Sequence, residues 1–90
     1  MSDRGRNSAP PDIAGWVKQV TQRLVDKPDE VEVDTVREDD ADIFEVHVAP
    51  DEMGRVIGRQ GRTVQAMRAL LDAAAEKHDA AYELEILDEE

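Results

Sequence analysis

Apolar residues recur along this chain with two different periods. Between Asp12 and Asp26, Ile13, Trp16, Val17, Val20 and Leu24 fall at helical spacing, with Lys18, Gln19, Gln22 and Arg23 between them. Such a stripe predicts an amphipathic helix, and Pro28 stops the pattern. Trp16 lies in the middle of the stripe, which assigns its ring to the core rather than to a stacked ligand. The period then becomes two. Val31, Val33 and Thr35 alternate with Glu32, Asp34 and Val36, while Phe44, Val46 and Val48 alternate with Ile43, Glu45 and His47. These are two strands, and the charged segment Arg37-Glu38-Asp39-Asp40-Ala41 between them predicts an antiparallel hairpin.

Pro50 followed by Asp51 and Glu52 supplies a helix start, because proline is tolerated in the first turn and acids suit the positive end of the helix dipole. A short helix to about Ile57 follows, broken at Gly58 and Gly61. A second helical pattern opens at once, with Val64, Met67, Leu70, Leu71, Ala74 and Ala75 on one face and Arg62, Gln65, Asp72 and Glu76 opposite, ending near His78. Tyr82, Leu84 and Ile86 then alternate with Glu83, Glu85 and Leu87 as a last strand. The order is α-β-β-α-α-β. An α+β fold, a three-stranded sheet covered on one face by three helices, buries these apolar faces in the shortest chain. The other sheet face carries Glu32, Asp34, Glu83 and Glu85.

A chain of 90 residues has room for one small core, so we expect one domain over residues 12–87, a flexible polar tail over 1–11 and an acidic end over 88–90. The absence of cysteine excludes disulfides, thiolate metal sites and a cysteine nucleophile. With no apolar run of spanning length and no secretory pattern at the start, a soluble cytoplasmic protein without membrane contact is expected. The net charge is -11, yet Met53 to Leu71 holds Arg55, Arg59, Arg62 and Arg68 and no acid. The chain is a basic island in an acidic body.

That island surrounds Gly58-Arg59-Gln60-Gly61. Two glycines flanking two polar residues let the backbone turn tightly and let another backbone approach. The next helix opens at Gly61-Arg62-Thr63, so its unpaired N–H groups and positive end add to the arginine charge, and the whole reads as an anion site. A nucleotide phosphate loop is excluded, since no Gly-Lys-Ser/Thr follows and no strand precedes. What remains is the backbone-clamping loop of KH domains, which holds single-stranded RNA. Catalysis is not expected, because His47, His78, Ser2 and Ser8 offer no paired nucleophile and base. Nor is a metal, a cofactor or a small-molecule substrate: the acids of the 37–41 segment lack the glycine and distal glutamate of a calcium loop.

Gly54-Arg55-Val56-Ile57-Gly58-Arg59-Gln60-Gly61-Arg62-Thr63, followed by Met67-Arg68-Ala69-Leu70-Leu71, resembles the core of the small bacterial KH proteins of the KhpA family. Asp26-Lys27-Pro28-Asp29-Glu30-Val31 and Val46-His47-Val48-Ala49-Pro50 resemble it too, so the likeness spans about Ile13 to Leu87. It implies a type II KH domain that acts as an RNA chaperone of low sequence selectivity. It also implies pairing with a larger KH protein (KhpB, Jag or EloR) and an influence on cell elongation and envelope synthesis. Gly58, Arg59, Gln60 and Gly61 would form the clamp, with Val56 and Ile57 lining an apolar groove floor. Arg55, Arg62 and Arg68 are added from charge and position. The alternative is an interaction module, a homodimer or a heterodimer whose partner supplies most RNA affinity, with Met53 and Val56 as the contact surface.

Overall fold

The computed structural model describes residues 12–88; the expected tail at 1–11 and most of the acidic end lie outside them. Helix α1 spans Ile13–Leu24, and Asp12 caps it by accepting a hydrogen bond from the Gly15 N–H at 2.8 Å. Its stripe buries Val17 and Thr21, and the Thr21 hydroxyl is satisfied by donating to the Val17 carbonyl. The helix ends at Leu24, short of the expected Asp26. The cause lies far along the chain. The Glu52 carboxylate accepts from the Asp26 N–H at 2.8 Å and the Lys27 N–H at 2.9 Å, which draws both out of the helical ladder. Pro28 completes the exit, since the residue before a proline avoids helical backbone.

Strand β1 (Glu32–Glu38) and strand β2 (Ala41–Val48) pair antiparallel from Glu32↔His47 to Glu38↔Ala41. The hairpin is therefore tighter than the expected five-residue turn. Asp39 and Asp40 alone make it, both at positive φ, the geometry of a two-residue turn whose twist matches its strands. An ion pair between Arg37 and Asp42 at 2.9 Å closes the end of the ladder.

After a single 3₁₀ turn at Pro50–Glu52 come helix α2 (Met53–Ile57) and helix α3 (Arg62–Lys77). Strand β3 (Tyr82–Asp88) then returns parallel to β2, pairing Phe44 with Leu84 and Val46 with Ile86. The mixed sheet has the order β1-β2-β3. Helix α3 ends in a full C-terminal cap: the Ala80 N–H donates to Ala75 and the Asp79 N–H to Glu76, with Asp79 at φ 54° in the place glycine usually holds.

The sheet face under the helices carries Phe44, Val46, Val48 and Leu84, packed with Val17, Val31, Val56, Val64, Met67 and Leu71. Trp16 packs at the margin of this core, as its place in the stripe requires. The outward-facing residues of the same strands are mostly acidic. Among the described residues, no helix is long and apolar enough to cross a membrane.

Candidate nucleic-acid interface

Helix α2 stops because Gly58 takes φ 81°, ψ 169°, a region open essentially to glycine alone. Space enforces the same choice, since a Cβ on Gly58 would collide with the Thr63 hydroxyl and lie 2.9 Å from the Thr63 backbone nitrogen. At Gly61 the preference for glycine is milder. Its φ is 74°, but a Cβ there would meet nothing closer than the Gln65 amide at 3.7 Å. Gln60 also adopts left-handed backbone, φ 57° and ψ 26°, an arrangement that costs a non-glycine residue about 1 kcal/mol and persists only where its neighbours fix it. A turn of Arg59–Gly61 thus links two helices, with Arg59 and Gln60 exposed between the half-buried Gly58 and Gly61.

Helix α3 begins directly behind this turn, and no side chain caps its N-terminus. Sixteen residues of aligned peptide dipoles place partial positive charge at that end. Arg59, Gln60 and Arg62 are all exposed around it, and the Arg62 guanidinium leans on the Gln60 side-chain oxygen at 3.4 Å.

The other expected residues divide. Arg55 pairs with Asp26 at 3.0 Å and approaches Glu52 at 3.7 Å, so nearby carboxylates offset its charge. Val56 is 0% exposed and packed in the core. That corrects the expectation that it lines a groove or a contact surface: with no accessible area it meets no partner, and it serves instead to anchor α2. Ile57 remains half-buried at the core margin. Arg68 lies on another face of α3 from Arg62 and donates to the Leu84 carbonyl at 3.1 Å.

That last bond reveals a feature that side-chain patterns do not carry. The Ala81 carbonyl accepts from the Asp42 N–H at 2.9 Å, so odd-numbered residues of this segment address β2. Tyr82, Leu84 and Ile86 therefore turn their backbone groups to the outer edge of β3, because alternate residues of a strand face opposite sides. The molecule presents a glycine-flanked turn, a positive helix end and a strand edge on neighbouring elements.

A sequence profile described as "KhpA/KhpB, KH domain" matches residues 15–86. The chain belongs to the KhpA/KhpB KH-domain family. The α-β-β-α-α-β order and mixed sheet are those of a type II KH domain, and the expected fold stands. Among similar proteins, the RNA-binding protein KhpA of Caldanaerobacter subterraneus subsp. tengcongensis is 46% identical over 71 residues, 79% of this chain and 95% of that protein. The RNA-binding protein KhpA of Clostridium acetobutylicum is 42% identical with the same coverage. That of Chlamydia trachomatis is 39% identical over 74 residues, 82% of this chain and 95% of the relative. No solved structure matches the chain.

Proposed function

We propose that this protein binds single-stranded RNA without catalysing a reaction, clamping the sugar-phosphate backbone at Gly58-Arg59-Gln60-Gly61. The observation that carries this reading is Gly58, held in glycine-only backbone against Thr63 at the head of an uncapped helix. A turn built in this way offers N–H groups and open space to phosphates. Arg59 and Arg62 supply the charge, Ile57 borders the apolar side, and Arg68 meets the strand as it runs along β3. Arg55 contributes less, since Asp26 and Glu52 compete for it. The relatives' name, RNA-binding protein, supports the assignment.

Three phosphate contacts at most follow from Arg59, Arg62 and Arg68. The logarithm of affinity for a single-stranded RNA should then fall against the logarithm of salt with a slope of about -2, at roughly 0.7 per phosphate. Fluorescence anisotropy over a salt series measures it. A slope of zero would remove the electrostatic clamp.

The same reading includes work as an RNA chaperone in the cytoplasm, together with a second copy or a larger KhpB-type protein, in service of cell elongation and envelope synthesis. An apolar surface favours the association. Leu70 is 57% exposed on α3 and borders a shallow cavity shared with Ile13, Trp16, Leu71 and Ala74. This surface, between α1 and α3, takes the place of the Met53 and Val56 contact expected from sequence. Sedimentation equilibrium should show self-association, or binding of the larger partner, that Leu70→Glu weakens. A strictly monomeric wild type that ignores the partner would leave the domain working alone.

A further inference from the structure

Across the sheet face that the helices leave uncovered, the strand register sets like charges side by side. Asp34 of β1 stands opposite Glu45 of β2, and Glu45 stands opposite Glu85 of β3. Directly opposed like charges destabilise a sheet, and here three carboxylates share one level. His47 lies two residues beyond Glu45 and so on the same face, with Glu32 opposite it. Its Nε2 is 3.3 Å from Asp34 Oδ2, and its side chain is only 19% exposed against 69% for Asp34. The imidazole is thus laid down on the strands with its nitrogen toward the acids. One ligand atom from each of Asp34, Glu45 and His47 falls within 4.8 Å of the others.

We propose that Asp34, Glu45 and His47 form a site for a divalent transition-metal ion of the zinc class. The donor set decides the class. One imidazole nitrogen with two carboxylates suits zinc and its borderline neighbours, whereas magnesium and calcium take oxygen ligands. Ligand bonds of about 2.0–2.2 Å require the three side chains to draw together by roughly 1 Å, which rotation of the exposed Asp34 carboxylate provides. Three protein ligands leave a fourth position for water. The ion would cancel the repulsion between opposed acids and tie β1 to β2. The site lies across the sheet from the helices and the glycine turn, so it stands apart from the RNA reading. The residues are 34, 45 and 47, on two strands, and only the register brings them to one place.

The test titrates zinc chloride into the metal-free full chain, read by calorimetry and by the imidazole nitrogen resonances. The chain has two histidines, so His78 serves as an internal control. One zinc ion per chain should bind, the His47 ring resonances should move while those of His78 stay, and millimolar magnesium should not compete. His47→Gln should weaken binding by about 100-fold, Asp34→Asn should weaken it as well, and Glu83→Gln, on the same face, should not. Bound zinc should also raise the melting temperature of the wild type and not of His47→Gln. Equal affinity in His47→Gln, equal movement of both histidines, or no response of His47 to excess zinc overturns the site. If His47→Gln fails to fold, the resonances of the wild type decide the question alone.

Discussion

Replacing Arg59 and Gln60 together by Asp is expected to reduce affinity for single-stranded RNA by about 100-fold or more, close to 2.7 kcal/mol, with the helices unchanged by circular dichroism. Both residues are exposed, and neither belongs to the core. Asp tolerates left-handed backbone better than Gln does, so position 60 at φ 57° accepts the change without strain. Gly58 and Gly61, which shape the turn, are untouched. The loop meanwhile moves from one positive charge to two negative ones, and the carboxylate introduced in place of Gln60 would also engage the neighbouring Arg62 guanidinium. Anisotropy titrations with a short single-stranded RNA measure the loss. A folded double mutant that binds as well as the wild type would show that RNA is held elsewhere.

Glu52→Ala is expected to destabilise the fold by about 3 kcal/mol, because hydrogen bonds to a charged group contribute roughly 1.5–3 kcal/mol each and two are lost. For a domain of this size that is a fall of roughly 15 °C in melting temperature. Glu52 is 4% exposed, and its two oxygens accept from consecutive N–H groups after α1. Truncation removes both acceptors and a neighbour of Arg55. Glu52→Gln should cost less than Ala, since the amide keeps one acceptor but points an NH₂ donor at the other N–H. Urea unfolding of the three proteins tests the order. A loss under about 1 kcal/mol for Ala would mean that water takes over the two donors.

These effects show which parts of the structure short-range sequence carries. Phe44, Val46 and Val48 alternate with polar residues, and Val64, Met67, Leu71 and Ala75 repeat at helical spacing. Those periods were legible because the faces they define are the buried ones. Gly58 and Gly61 were legible because both take positive φ, which favours glycine, and Gly58 takes a backbone that only glycine suits. The end of α1 was not, since the group that terminates it lies 26 residues away from Asp26. The tight turn was not, because Asp39 and Asp40 fill left-handed positions that Asn-Gly more often marks.

The candidate interface divides along the same line. Arg59, Gln60 and Arg62 stand where local spacing puts them. Val56 is buried, and Arg55, though exposed, is shared with Asp26 and Glu52: charge and hydrophobicity do not reveal which neighbours a five-residue helix gives its side chains. The strand edge of β3 leaves no trace in residue type, since backbone groups form it.

The guanidinium of Arg68 on the Leu84 carbonyl has a consequence for how copies of this chain can meet. A bare strand edge is a template on which another strand can polymerise, and natural proteins obstruct such edges with cationic side chains. At β3 the obstruction is a plug: a newcomer seeking the Leu84 acceptor must first evict a cation and then leave it without that bond. Strand pairing through this acceptor of β3 is thereby disfavoured.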